Sequence, residues 1–79
     1  MKPNGAAIRA IREAKGHGLR DLERRTGLDR GYLSRLERGN RGASLSTLLL
    51  IARALDIDPI AITREDSHDR QRDRLADRR

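Results

Sequence analysis

Arginine side chains are concentrated in the stretch of this chain that also holds its single aromatic residue. Residues 27–42 read GLDRGYLSRLERGNRG and combine Tyr32 with four arginines and four glycines. A guanidinium group is a permanent cation whose planar fork donates paired hydrogen bonds to anionic groups. Gly31 falls where the apolar spacing predicts a helix, although glycine costs about 1 kcal/mol more than alanine in a helix interior. The residue types in this stretch therefore indicate binding of an anionic partner.

The chain as a whole is basic, and the excess charge lies in its first 64 residues. The net charge is +6; residues 1–64 carry 13 Lys and Arg against 7 Asp and Glu, whereas residues 65–79 carry five of each. Such an excess favours an anionic partner such as nucleic acid, although solvated helix faces would give the same count. The positions of the arginines must distinguish the two.

The sequence lacks the residue sets that catalysis or metal binding would need. It has no cysteine, and its two histidines, His17 and His68, are far apart. Asp66 and Asp69 lie near His68, but this spacing is too generic for a metal site. His17 is expected to be an ordinary, partly exposed side chain. We therefore expect no enzyme activity, no metal and no cofactor.

The distribution of apolar residues argues against a membrane protein. No apolar run approaches the roughly 20 residues that span a bilayer, and the N-terminus lacks the apolar core of a signal peptide. We expect a cytoplasmic protein. Without disulfides, its stability must come from helix packing or from oligomerisation.

Helical periodicity runs through the first 64 residues, and strand signals are nearly absent because there is no Phe, Trp or Val. Candidate caps and glycine stops divide the pattern into five helices, at about residues 5–15, 19–26, 30–38, 45–55 and 59–64. Their apolar stripe is predicted to comprise Ile8, Ile11, Leu19, Leu22, Leu33, Leu36, Leu45, Leu48, Ile51, Ala52 and Leu55. The sequence thus predicts a compact all-α domain over residues 1–64.

Residues 65–79, EDSHDRQRDRLADRR, form a separate segment. Leu75 and Ala76 are its only apolar side chains, so it cannot bury a face of its own. We expect a flexible charged tail to which a protein partner could bind; a helix ordered by such a partner is the alternative.

The second and third helices are short, and the turn TGLD between them contains a glycine. Helices this short and this tightly joined must cross steeply, which is the helix-turn-helix arrangement. Over residues 5–64 the chain resembles the lambda-repressor-like (Xre/Cro) helix-turn-helix family, most specifically in LRDLERRTGLDRGYLSRLERG (residues 19–39) and in SLSTLLLIARALDI (residues 44–57). The resemblance implies a five-helix domain that binds double-stranded DNA, usually as a symmetric dimer, for transcriptional control.

The resemblance assigns base readout to the start of the third helix, at Arg30, Gly31, Ser34 and Arg35. Arginine suits guanine because its fork donates to O6 and N7, and a serine hydroxyl can donate or accept. For each arginine, a phosphate contact or a solvated side chain remains the alternative. Gly31 would allow close approach to a base or sugar, or would simply cost little near a helix start.

The resemblance also assigns contacts to the DNA backbone at the start of the second helix and just beyond the third. On this sequence these are the Leu19 backbone N–H, Arg20, Arg38, Asn40 and Arg41. A helix N-terminus suits this task because it offers unpaired N–H groups and partial positive charge to a phosphate. Tyr32 could brace a phosphate through its hydroxyl, or its ring could pack beside the turn.

Two further sets of residues have structural roles in this interpretation. The resemblance implies an ion pair between Arg12 and Glu37 that fixes the angle of the third helix. Leu49 and Leu50 lie off the core stripe of the fourth helix, and together with Ile60 or Ile62 they could meet a second subunit; scattered surface leucines are the alternative.

The sequence thus predicts a transcriptional regulator, a repressor that reads a pseudo-palindromic operator in the nucleoid through its third helix. The competing hypothesis is an antitoxin-like or regulatory module that uses the same fold to bind a protein. Arginines at groove-facing positions favour DNA.

Overall fold

The computed structural model of the protein describes residues 2–64, so the predicted charged tail at 65–79 lies outside the described residues. The chain runs through a short strand, four α-helices, a 3-10 helix and a second short strand. In order these are β1 (Lys2–Pro3), α1 (Gly5–Ala14), α2 (Leu19–Thr26), α3 (Arg30–Glu37), α4 (Leu45–Leu55), the 3-10 helix (Pro59–Ile62) and β2 (Thr63–Arg64).

Capping side chains mark where three of the four α-helices begin. Asn4, Asp29 and Ser44 each accept a hydrogen bond from a backbone N–H in the first turn of α1, α3 and α4. These side chains satisfy donors that a helix start leaves unpaired. The α2 helix differs, because its N-cap is Gly18 and no side chain caps its first turn.

The predicted fifth α-helix is wrong. Pro59–Ile62 form a single 3-10 turn, and Thr63–Arg64 are extended and pair antiparallel with Lys2–Pro3. The Asn4 N–H also donates to the Ile62 carbonyl, at 2.8 Å. This pairing joins the two ends of the described chain and stops the helix after one turn. Two-residue strands carry no alternation that the sequence could display.

The core lies between the four α-helices and the 3-10 helix. Its buried apolar residues are Ile8, Leu22, Leu33, Leu36, Leu48, Ile51, Ala52, Leu55 and Ile62. Leu45, predicted to belong to the core stripe, is 55% exposed, because it is the first residue of α4 and packing begins one turn later, at Leu48. Ile11 and Leu19 are partly buried and pack against the core.

Gly5 allows α1 to start directly against the end of α3. A Cβ at this position would lie 2.2 Å from the Leu36 carbonyl oxygen and 2.7 Å from that of Glu37. Such distances are not tolerated between real atoms, so only glycine fits this contact. The last turn of α3 is thereby held at a fixed distance from α1.

None of the helices within residues 2–64 is long and apolar enough to cross a membrane.

Candidate nucleic-acid interface

The connection between α2 and α3 is a three-residue turn held by its own hydrogen bonds. Gly27 ends α2 with φ of 78°, in the left-handed region that favours glycine, and its N–H donates to the Glu23 carbonyl at 2.7 Å. The Thr26 hydroxyl donates to the Leu22 carbonyl at 2.8 Å and accepts the Leu28 N–H at 3.1 Å. The turn therefore sets the orientation of α3 relative to α2.

Two carboxylates cap the first turn of α3. Asp29 accepts the Tyr32 N–H at 3.1 Å through Oδ2, and Glu23 reaches across from α2 to accept the Arg30 N–H at 3.2 Å through Oε2. The sequence did not indicate Glu23, because the acceptor is seven residues away and on another helix. An acidic residue in the last two turns of α2 is the only signal it offered.

Arg30 and Arg35, the predicted base readers, are exposed on α3. Among residues 2–64 neither guanidinium takes part in a hydrogen bond or an ion pair, and the same is true of Arg20 at the start of α2. These three cations can therefore bind an outside anion or a base edge without first breaking an internal bond.

Ser34 and Arg38, predicted to contact a base and the DNA backbone respectively, are joined to one another. Arg38 Nη1 donates to Ser34 Oγ along the surface of α3. Because the serine oxygen accepts this bond, its own proton remains available for donation to a base. The structure brings these two residues together with Arg30 and Arg35 on one helix.

Gly31 is exposed in the first turn of α3. A Cβ there would lie 3.0 Å from Asp29 Oδ2, a tight contact, and 3.5 Å from Arg35 Nη1, an ordinary one. The absence of a side chain therefore leaves room for the Asp29 cap and for the Arg35 guanidinium beside the backbone. This space is a feature of the free protein and does not depend on DNA.

Tyr32 anchors the loop that follows α3. Its hydroxyl donates to the Gly42 carbonyl at 2.9 Å, and the Arg41 guanidinium lies 5.6 Å from the centre of its ring. The Asn40 N–H donates to the Arg35 carbonyl at 2.9 Å. The Tyr32 proton is thus already used within the protein, and its ring packs toward this loop and the core. Asn40 and Arg41 lie in the loop directly after α3.

Leu19 and Arg20 begin α2, whose first turn lacks a side-chain cap. The Leu19 side chain packs against the core, and as the first residue of α2 its N–H has no acceptor within the helix.

Arg12 and Glu37 form the ion pair that the resemblance implied. Arg12 Nε lies 2.7 Å from Glu37 Oε2 and Nη2 lies 3.0 Å from Oε1, with both side chains less than a tenth exposed. The hydrogen bonds to Glu37 raise the pKa of Arg12 above its usual value. Arg12 Nη1 also donates to the His17 carbonyl at 2.8 Å. One guanidinium thus links α1, the end of α3 and the approach to α2.

A second cluster of charges lies on the flank of α2. Asp21 accepts one hydrogen bond from Arg25, at 3.0 Å, and another from Arg24. Its Oδ2 also lies 2.8 Å from His17 Nδ1. The hydrogen bond from Arg25 lowers the pKa of Asp21, and the positive charges around it act in the same direction. These arginines are engaged internally, unlike those of α3.

The exposed apolar residues lie on α4 and the 3-10 helix. Leu45 is 55% exposed, Leu49 46%, Leu50 38% and Ile60 76%. Ile62, grouped with them from the sequence, is fully buried in the core, so its assignment to a subunit interface is wrong. The physical reason is the 3-10 turn, which directs the Ile62 side chain into the core. In a longer α-helix this side chain would lie on a different face.

Within residues 2–64 no group of three or more potential metal ligands occurs. His68, Asp66 and Asp69 lie outside the described residues.

Comparison with known proteins identifies relatives of the same architecture. The helix-turn-helix family matches residues 8–62. A curated relative, the uncharacterized HTH-type transcriptional regulator y4dL of Sinorhizobium fredii, is 41% identical over 51 residues, covering 65% of this chain and 26% of the relative. The chain therefore spans about a quarter of the length of that protein.

Two solved structures are similar over most of the described residues. The restriction-modification controller protein C.AhdI from Aeromonas hydrophila aligns with a TM-score of 0.70 and 44% identity, covering 72% of this chain and 86% of that one. The controller protein C.Esp1396I, solved as a tetramer in complex with its natural 35-base-pair operator, aligns with a TM-score of 0.66 and 34% identity, covering 71% of this chain and 74% of that one.

Proposed function

The chain belongs to the helix-turn-helix family, and on that premise we propose that it is a DNA-binding transcriptional regulator that reads a specific duplex sequence through α3. The observation that carries the proposal is the pair of exposed arginines, Arg30 and Arg35, which lack an internal partner within residues 2–64 and lie on the helix that follows the hydrogen-bonded turn. An arginine whose donors are unoccupied can donate two bonds to guanine in the major groove.

Base readout is assigned to Arg30, Gly31, Ser34 and Arg35. The two arginines read guanines, and the Ser34 proton, left free by the Arg38 bond, donates to a base acceptor. Because Gly31 has no side chain, nothing protrudes between Asp29 and Arg35, and α3 can approach the floor of the major groove closely.

Contacts to the phosphate backbone are assigned to the start of α2 and to the residues that follow α3. The Leu19 N–H and Arg20 act at the uncapped start of α2, and Arg38, Asn40 and Arg41 act beyond α3. Tyr32 holds the loop in place through Gly42, so that Arg41 is presented to the phosphates while the tyrosine itself need not touch them.

We assign a homodimer interface to Leu49, Leu50 and Ile60. These side chains are exposed and apolar in a small domain, and the related C.Esp1396I was solved as a tetramer on its operator. A two-fold dimer would read a pseudo-palindromic site with half-site centres roughly 10 bp apart. Replacing Leu49 and Leu50 together by glutamate should lower the mass measured by analytical sedimentation, and an unchanged mass would remove this interface.

A regulator of this kind acts on DNA in the nucleoid, and we infer repression, since a domain that covers an operator blocks access to it. Selection of fragments bound by the purified protein from a random duplex library tests the function directly. We expect one enriched motif with two-fold symmetry and an affinity that falls steeply with salt. Failure to enrich any motif would favour a protein-binding module built on the same fold.

A further inference from the structure

DNA binding alone does not explain why Glu23, on α2, carries an acidic side chain. It lies near the proposed reading face, where a negative charge would oppose phosphate, yet its carboxylate is not paired with any cation in the described part of the chain. Three other acids of this part are paired with arginines, Glu13 with Arg9, Asp21 with Arg25 and Glu37 with Arg12, whereas Asp29 and Asp58 cap the helices that directly follow them. The side chain of Glu23 makes one hydrogen bond, with the backbone N–H of Arg30 on α3.

We propose that Glu23 is a positioning residue for sequence recognition, an assignment that rests on the proposed function. Its Oε2 accepts the Arg30 N–H at 3.2 Å, and Arg30 is both the first residue of α3 and a proposed base reader. Fixing this N–H fixes the backbone from which the Arg30 side chain leaves, and so sets where its guanidinium meets the bases.

The short length of α3 makes this bond matter. An eight-residue helix is not stable alone, and its first turn depends on outside acceptors. Asp29 satisfies the Tyr32 N–H and Glu23 satisfies the Arg30 N–H, so each of the two carboxylates holds a different residue of the turn. Their negative charge also complements the positive end of the helix dipole.

Repulsion between this carboxylate and phosphate acts in cognate and non-specific complexes alike, so it cancels in the ratio of the two affinities. Discrimination comes from the position of Arg30, which matters only where bases are read.

The test compares Glu23→Ala with Glu23→Gln on two duplexes, one carrying the motif selected by the wild-type protein and one scrambled. Alanine removes the acceptor, so cognate affinity should fall about tenfold, the worth of one charge-assisted hydrogen bond, while scrambled affinity should stay level or rise. Glutamine keeps an acceptor oxygen and should hold cognate affinity within about twofold of wild type. Glu13→Ala, which removes an equal charge from α1, should leave the ratio of the two affinities unchanged.

A second measurement reports the bond itself. The Arg30 amide should exchange with solvent deuterium faster in Glu23→Ala than in the wild type or Glu23→Gln, whereas the Tyr32 amide, which Asp29 caps, should exchange at the same rate in all three. Equal weakening of both duplexes by Glu23→Ala, cognate loss in Glu23→Gln as large as in Glu23→Ala, or an Arg30 amide that exchanges equally fast in the wild type and Glu23→Ala would overturn the assignment. The wild-type preference for the selected duplex tests the proposed function separately, because its absence would be seen before any variant is made.

Discussion

Arginines on two sides of this small domain have opposite surroundings. On the α1–α2 side, Arg9, Arg12, Arg24 and Arg25 are each bonded to an acid, whereas Arg20, a proposed phosphate contact, is not. On the α3 side, Arg30 and Arg35 have no partner within residues 2–64. The residue type and charge are the same in both places, so the surroundings decide the role. In an ion pair the guanidinium N–H groups are already bonded to a carboxylate, whereas an unpaired guanidinium keeps its N–H groups for a ligand.

The net charge of +6 is therefore a poor guide to where DNA would bind. Arg12 contributes as much to that count as Arg35, yet it is buried and bridges α1 to the end of α3. A charge map drawn from sequence would weight them equally. Substitutions that separate stability from DNA affinity test whether the two sides differ as described.

Arg12→Ala should have the largest effect, and on folding. It leaves the nearly buried Glu37 carboxylate without its partner, which costs about 3–5 kcal/mol in the free energy of unfolding. Chemical denaturation followed by circular dichroism measures this. As a control, Arg12→Met combined with Glu37→Leu removes both charges and should recover most of the loss. An unfolding midpoint unchanged by Arg12→Ala would mean that the pair does not hold α3.

Arg35→Ala should act on DNA and not on folding. Loss of a bidentate base contact costs about 1–3 kcal/mol of cognate binding free energy and relaxes preference at one base pair. Titration of the selected duplex and of its single-base variants measures both quantities. If cognate and scrambled DNA lose affinity equally, Arg35 contacts phosphate and not a base.

Arg41→Ala should weaken every duplex alike, because a phosphate contact carries no sequence information. The slope of log affinity against log salt concentration should become shallower by about 1. Arg53→Ala provides the matched control: this arginine is exposed on α4, is not among the proposed DNA contacts, and should change neither affinity nor slope. A loss confined to the cognate duplex in Arg41→Ala would assign it to base readout.

Arg24→Ala should have the smallest effect of the four. Its guanidinium is largely exposed, and Asp21 keeps its bond to Arg25 when Arg24 is removed. Exposed ion pairs contribute little to stability, so neither the unfolding midpoint nor DNA affinity should move measurably. A clear drop in cognate affinity would place part of the DNA surface on the α2 flank.

Local sequence signals predicted the parts of this fold that depend on near neighbours. The caps Asp29 and Ser44 and the turn at Gly27 act within a few residues, so α1 to α4 are predicted with nearly correct bounds. The Arg12–Glu37 pair required the family resemblance, because 25 residues separate its members.

Features that depend on distant contacts were missed or predicted wrongly. The pairing of residues 2–3 with 63–64 turns a predicted helix into a 3-10 turn and buries Ile62. The bond from Arg30 to Glu23 and the contact of Gly5 with the Leu36 carbonyl arise only once helices have packed. The helical periodicity predicts that Leu45 belongs to the core stripe, but packing against the core begins one turn later along α4.

The most direct test of the central claim is a library selection run in parallel with wild type, Arg35→Ala and Arg24→Ala. The two variants lose the same charge, one from each side of the domain. We predict that Arg24→Ala recovers the wild-type motif and that Arg35→Ala loses preference at one base pair of each half-site. Identical motifs from all three proteins, or equal losses from both variants, would contradict the claim that unpaired arginines of α3 read the sequence.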